Sequence, residues 1–509
     1  MTSRSRARQR RIVKRLDKFN FPDDLQQPIL RGANIQYEVA QRSVATPYGG
    51  IGLVHQLVKA LGLPTAIDQR LHLFKIHLPY HESDHVLNIA YNALCDGRCL
   101  EDLELRRQDE AYLNALGACR IPDPTTAGDF CRRFQQEHLG ALQEAIDVAR
   151  LKAWSGQPDS FFEQAVIDAD GTIVETDGEC KQGMDISYKG QWGYHPLAVT
   201  LANTGEVLRL VNRPGNRPSH EGAAVQIDES IAVCRAAGFR SIRIRGDTDF
   251  SQTQHLDRWH DQGVTFCFGL DVTAQREILA DDLPNSAFRP LKRPPKYAVQ
   301  TKPRKRPERV KQQIVEQRGF KDIRLEKELV AETKYRPRAC GRDYRLIIVC
   351  KILKVRERGQ KQLFDDYRYF LHLTNDWKST PAEIVFDAND RCQQENILAQ
   401  LNSVRALYAP LDNLLSNNAY MLITSLAWNL KAWLALQLPE PGGFEKEKQA
   451  EQKRGLLTME FRTFVNSLMR VPAQVVRTGR RLVLRLLAWN EWQRVFLKLA
   501  AQVCRPLRC

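Results

Sequence analysis

Hydrophobic positions divide the chain into three kinds of stretch. Up to about residue 160 the apolar residues recur at helical spacing. "DHVLNIAYNAL" reads as a helix capped by Ser83 with Gly97 near its end, and "DPTTAGDFCRRFQQEHLGALQEAIDVARLKAW" as one long amphipathic helix opened by capping threonines. From about 161 the period changes. "QAVIDADGTIVE", "YHPLAVTLA" and "GEVLRLVNR" predict strands, the last two a hairpin through "NTG". "HEGAAVQIDESIAVCRAAG" predicts a helix ending at Gly238, "RSIRIRGDTDF" a strand ending at Asp247, "SQTQHLDRWHDQG" a helix and "VTFCFGL" a further strand. Antiparallel strands followed by alternating helices and strands predict a mixed α/β sheet.

The pattern breaks between about 276 and 375. "RPLKRPPKYAVQTKPRKRPERVK" is too rich in Lys, Arg and Pro for a regular sheet core, whereas "DYRLIIVCKILKVRER" and "DDYRYFLHLT" again predict strands. The spacing suggests a basic insertion between two halves of one domain. Helical periodicity resumes at "DRCQQENILAQLNSVRAL" and is expected to persist through "RRLVLRLLAWNEWQRVFLKLAAQV". The expected domains are a helical region at 1–160, two parts of one α/β domain at 161–275 and 376–440, the basic β-rich insertion at 276–375, and a helical region at 441–509.

Composition alters this picture in one respect. With 509 residues, 43% hydrophobic and 27% charged, the chain is an ordinary globular protein. Its 75 Lys and Arg against 60 Asp and Glu give +15, a balance suited to a polyanion such as nucleic acid. Twelve scattered cysteines do not make a disulfide scaffold. The basic first sixteen residues lack the apolar run of a secretory leader, and "NNAYMLITSLAWNL" is too short and polar for a membrane span. A cytoplasmic, nucleoid-associated protein with no membrane anchor is expected. His81, His85, Cys95 and Cys99 imitate zinc spacing, but no second partner set supports it.

The candidate chemistry lies in carboxylates. Asp168 and Asp170 stand two positions apart on the first strand, so both project from one face, roughly 6–7 Å apart. Asp247 ends the fourth strand. If these strands are neighbours the carboxylates converge, and hard cations such as Mg²⁺ use two or three carboxylates plus substrate phosphate. A helix after the insertion supplies Glu395 as the third. Lys302, Arg304, Lys305 and Arg306 in the insertion, and Arg132 and Arg133 in a short helix, are candidate DNA-phosphate contacts.

The sequence resembles the DDE transposases of bacterial insertion sequences, specifically the family numbered thirteen-eighty. The likeness is strongest in "RCLEDLELRRQDEAYLNALGACRIPDPTTAGDFCRRF", "GMDISYKGQWGYHPLAVTLANTGEVLRLVNRPGNRPSHEGAA" and "IRGDTDFS". The resemblance implies an RNase H-like catalytic core interrupted by a largely β insertion, and Mg²⁺-dependent cleavage at terminal inverted repeats, with Mn²⁺ as a substitute. It also implies joining of the 3′-hydroxyl ends to target DNA by a synaptic homodimer. The "D-x-T" at Asp170–Thr172 matches the family's first acidic motif, favouring Asp170 over Asp168 as the ligand, with Asp168 an additional candidate. "GDTDF" places Asp247 at the second. In the helix signature of related transposases Arg391 and Glu395 fit, but Ala388 stands where tyrosine is expected and Asn402 where lysine is expected. Arg391 is then an expected DNA contact. The competing functions are an RNase H-fold nuclease that cuts without joining, and a non-catalytic DNA-binding protein derived from a transposase.

Overall fold

A computed structural model describes residue 10 and residues 44–75, 79–293, 310–357, 360–361, 366–439, 446–478, 481–487 and 490–503. A mixed sheet organises it. Its strands are β1 (Gln164–Gly171), β2 (Leu197–Leu201), β3 (Glu206–Val211), β4 (Ser241–Gly246), β5 (Val264–Leu270), β6 (Arg289–Pro290), β7 (Asp322–Tyr335), β8 (Tyr344–Glu357) and β9 (Asp366–Thr374). They lie in the order β6-β7-β8-β9-β5-β4-β1-β2-β3. β1, β2 and β3 are antiparallel neighbours, while β1 pairs with β4, and β4 with β5, in parallel. The 3-2-1-4-5 half is the RNase H-like arrangement, and the later strands extend it when β9 joins the edge of β5 antiparallel.

The two sheet faces differ in chemistry. On β1, Ala165, Ile167 and Ala169 are buried in an apolar cluster with Ile227 and Ile231 of α2 (Ala223–Ala237). The alternate positions, Asp168 and Asp170, face the other side, as period-two alternation requires. There α3 (Pro381–Asp390) packs Ile384 and Val385 on Cys267, Ile347 and Val349, and α4 (Cys392–Ser403) follows it.

The helices before and after the sheet share one core, running from Ile51 to Val503 and including Met421, Leu426 and Trp433 of α5 (Leu414–Leu436). Buried Glu206 fixes β3 to this core. It accepts hydrogen bonds from Trp154 Nε1 (2.8 Å), Trp433 Nε1 (2.7 Å) and Thr204 Oγ1 (2.9 Å), and pairs with Arg150 Nε at 3.2 Å. Such a carboxylate is tolerated because every side of it is bonded; removing its cation would cost about 3–5 kcal/mol. α5 is buried along almost its whole length, yet no described helix is long and apolar enough to cross a membrane.

Several elements depart from the sequence pattern. The long helix expected from residue 123 is broken into Pro124–Arg132 and α1 (Gln136–Trp154). Phe134, between them, is buried edge-on to Phe130 at 5.4 Å, so core packing overrides helical continuity. Asp123 rather than a threonine caps the first piece, accepting from the Thr126 amide at 2.8 Å. Ser83 lies inside helix Glu82–Leu94 and donates to Asp68 instead of capping. The helix expected at "SQTQHLDRWHDQG" shrinks to Leu256–Asp261 after two short 3₁₀ turns. The C-terminal stretch is not wholly helical: Ala473–Thr478 and Arg481–Leu486 form a hairpin that pairs with Val44–Thr46 before helix Gln493–Val503. "RLVLRL" alternates apolar and basic residues at period two, which suits a strand. β7, fourteen residues of mixed polarity, was not expected as a strand; much of it is exposed on both faces, so it carries no clean alternation.

Candidate active site

Strand register assembles the acidic residues. Asp168 lies opposite Arg245 in the parallel β1–β4 ladder, which puts Asp170, two residues on, beside Asp247 at the strand's end. Asp247 caps a 3₁₀ turn, its Oδ1 accepting from the Asp249 amide at 3.0 Å. That turn crosses over β5 at Gly269, where a Cβ would meet the Thr248 nitrogen at 2.8 Å. Only glycine allows this crossing.

Arg391, at the junction of α3 and α4, joins the third carboxylate to the first. Its Nη1 donates to Asp170 Oδ2 at 3.0 Å and its Nη2 to Glu395 Oε1 at 3.3 Å. Burial raises the Asp170 carboxyl to about 6; Arg391 opposes the rise and the Asp247 charge adds to it. Burial likewise raises Asp247, again opposed by Arg391. Two desolvated carboxylates thus sit side by side with one guanidinium between them and Glu395. Glu395 itself, in the first turn of α4, is largely exposed.

Asp168 is placed differently. Both its oxygens accept from Arg245, Nε and Nη2 each at 2.7 Å, and the pair is buried. Burial raises the Asp168 carboxyl while the two parallel bonds from Arg245 oppose the rise. Arg245 also donates to the Asp387 carbonyl (2.8 Å) and carboxylate (3.1 Å), and Arg243 bridges Asp387 and Asp376 at 2.8 and 2.6 Å. Asp168 therefore faces the expected side of the strand but is committed to Arg245, because register brings the guanidinium against both oxygens. It anchors α3, whose C-terminal end delivers Arg391.

α4 is fixed by its neutral side. Gln394 is fully buried, bonded to Thr200 Oγ1 and donating to the Ala198 carbonyl at 3.1 Å. Asn402, at the expected lysine position, donates to Thr172 Oγ1 at 3.3 Å, tying the helix to the "D-x-T" segment. Ala388 lines the cleft wall where a tyrosine was expected.

Arg132 and Arg133 lie apart from this cluster. Arg132 pairs with Asp129 and Asp412, and Arg133 lies over the Phe74 ring at 5.3 Å. Lys302, Arg304, Lys305 and Arg306 fall outside the described residues. His85 is buried and stacked on Phe130 at 4.5 Å, and burial lowers its pKa to about 4.

Two residues that the sequence pattern did not single out adjoin Asp170. A Cβ on Gly171 would meet His195 Nε2 at 2.8 Å and Arg213 Nη2 at 3.4 Å. His195 Nδ1 is 2.8 Å from the Arg217 carbonyl, and Arg213 donates to the carbonyls of His195, Pro218, Ser219 and Glu221. Their only signal was position inside the "GYHP" and "NRPGNRP" runs, with no spacing rule to mark them.

The donor set suits a hard cation. Asp170 and Asp247 offer paired oxygens that burial leaves short of positive charge, the chemistry Mg²⁺-type ions seek. Among the described residues no three acidic, His or Cys side chains converge into a preformed cage. Such ions keep waters and complete their shells with substrate phosphate, so an open site of this kind is adequate.

The family model described as "Transposase DDE domain group 1" matches residues 29–507. The chain belongs to this DDE transposase family. DDE transposases generally use divalent metal ions, and in this transposase Asp170 and Asp247 stand at the ends of adjacent parallel strands. A solved piggyBac transposase synaptic complex with hairpin DNA is similar at 11% identity, covering 83% of this chain and 84% of that one, with a TM-score of 0.35. No curated protein sequence matches the transposase.

Proposed function

We propose that this transposase binds the terminal inverted repeats of an insertion sequence, cleaves at the element ends and joins the 3′-hydroxyl ends to target DNA. The observation that carries this reading is the convergence of Asp170 and Asp247 across β1 and β4, linked to Glu395 through Arg391. The family numbered thirteen-eighty, the helical DNA-binding role of residues 1–160, the catalytic and insertion boundaries given above, the homodimeric synapse and the nucleoid location are parts of the same proposal.

Asp170, Asp247 and Glu395 would hold Mg²⁺, or Mn²⁺ in its place. Bound there, the ions supply Lewis-acid activation and charge stabilisation in phosphodiester displacement. The protein's part is positioning and electrostatics. Asp170 and Asp247 fix one wall through strand register. Arg391 offsets part of the charge of the crowded carboxylates when DNA is absent, and its guanidinium is within reach of a phosphate entering the same cleft. Asp168, through Arg245 and Asp387, holds α3 and so sets where Arg391 and Glu395 stand. Basic residues of the insertion then neutralise the DNA backbone.

The test is cleavage and joining on DNA carrying the sequence ends that flank the gene, with Mg²⁺ or Mn²⁺. Nicked ends and strand-transfer products are expected from the wild type and neither from Asp247→Asn. Unchanged cleavage by that variant removes Asp247 from the chemistry. Cleavage without joined products favours the nuclease alternative.

A further inference from the structure

The hairpin formed by Ala473–Thr478 and Arg481–Leu486 has two unlike faces. Side chains alternate along each strand and ladder partners share a side. Ala473 and Val475 are buried, opposite Leu486 and Leu484. Leu484 packs so closely on helix Ile51–Leu61 that a Cβ on Gly52 would meet its Cδ1 at 2.9 Å. Pairing with Val44–Thr46, and a bond from Arg477 to Asn114 of helix Glu110–Leu116, complete the attachment to the N-terminal helices. The alternate positions point away from that core. They are Gln474 opposite Arg485 and Val476 opposite Val483, with Arg485 and Val483 exposed.

Charge around this outer face is one-sided. From residue 461 to residue 490 the chain carries six arginines and no Asp, Glu, Lys or His. Arg470 pairs with Asp96 at 3.2 Å. Arg477 and Arg485 are bonded instead to neutral amides, Arg485 Nη1 donating to Gln474 Oε1 at 3.5 Å. Among the described residues neither of these two arginines meets a carboxylate. A solvated face ordinarily intersperses both signs, whereas guanidiniums whose charge is left uncancelled suit a polyanion. Shape agrees with charge. Six residues per strand make a ribbon about 20 Å long, and the major groove of DNA, about 12 Å wide, admits a two-stranded ribbon. Arginine bonds guanine O6 and N7 together, glutamine bonds adenine N6 and N7, and apolar side chains meet the thymine methyl. Arg485, Gln474 and the Val476–Val483 pair offer all three from one face.

We propose that the outer face of this hairpin lies in the major groove of the terminal inverted repeat, with Arg485 and Gln474 contacting base edges. The proposal rests on the element-end binding proposed above and gives it an address, a C-terminal ribbon docked on the N-terminal helices. Base-edge contacts select one sequence, so the face is committed to the element end, which stays constant, and not to target DNA, which varies.

Fluorescence anisotropy with two labelled duplexes tests this without added divalent ion: the element end that flanks the gene, and a scrambled duplex of equal composition. Wild type is expected to prefer the element end. Arg485→Lys keeps the charge but loses the paired bonds. It should bind the element end at least about fivefold more weakly, with scrambled-duplex affinity and salt dependence unchanged. Gln474→Ala should likewise lose preference and not general affinity. Methylating one guanine N7 in the element end should weaken the wild type but not Arg485→Lys, a signature that misfolding would not give. Full preference kept by both variants overturns the hairpin as a reader and leaves the proposed function standing. Equal losses on both duplexes reduce the hairpin to a backbone contact and overturn base reading. No preference in the wild type removes the inverted-repeat reading and the hairpin's role with it.

Discussion

Two regions of one sheet face use the same residue types to opposite ends. Beneath α3, Asp168, Asp376 and Asp387 meet Arg243 and Arg245 in buried and part-buried pairs with short bonds, bidentate at Asp168. A few ångströms along the strands, Asp170, Asp247 and Glu395 share Arg391. In the first region two guanidiniums serve three carboxylates, and the pairs hold α3 to β4. In the second, one guanidinium serves three carboxylates, Asp170 and Asp247 are raised by burial as Asp168 is, and Glu395 stays largely exposed. Charge count, not residue identity, separates a structural cluster from a reactive one.

The largest expected effects fall on opposite observables. Asp170→Asn or Asp247→Asn should lower divalent-dependent cleavage by more than about a hundredfold, beyond what loss of an outer-shell partner costs, while the denaturant midpoint does not fall. Arg245→Ala should do the reverse first: it strands Asp168 in the interior and should cost about 3–5 kcal/mol in urea unfolding. Equal stability losses at Asp170 and Arg245 would erase the distinction between the regions. Arg391→Ala should reduce cleavage about 10–100-fold with a smaller change in unfolding than Arg245→Ala, since one of its two partners, Glu395, is largely exposed. The smallest effect is expected at Asn402. Asn402→Lys trades a side-chain bond to Thr172 for a phosphate contact, and should steepen the salt dependence of DNA binding by about one unit of slope.

The sequence made much of this arrangement legible. Alternation in "QAVIDADG" put Asp168 and Asp170 on one face, and the order of strands brought Asp247 to the same sheet end. Alternation could not tell the two aspartates apart, because both obey it. The difference comes from Arg245, 77 residues away, whose register against Asp168 is a tertiary fact. Asn402 read as a missing lysine until its contact with Thr172 was on view. His195 and Arg213 were illegible for the same reason: a glycine at 171 admits them, and their partners are backbone carbonyls that leave no pattern. β7 escaped notice because an exposed ribbon needs no apolar stripe. The C-terminal hairpin was misread where "RLVLRL" sat next to helical sequence and the longer period was extended across it.

The central claim is that Asp170 carries chemistry and Asp168 carries structure. Divalent-dependent cleavage of element-end DNA by Asp168→Asn and Asp170→Asn, each normalised to its folded fraction, tests it most directly. The account predicts near-complete loss for Asp170→Asn and, per folded molecule, only a weakened rate for Asp168→Asn. Cleavage surviving in Asp170→Asn while Asp168→Asn is dead and fully folded would contradict it.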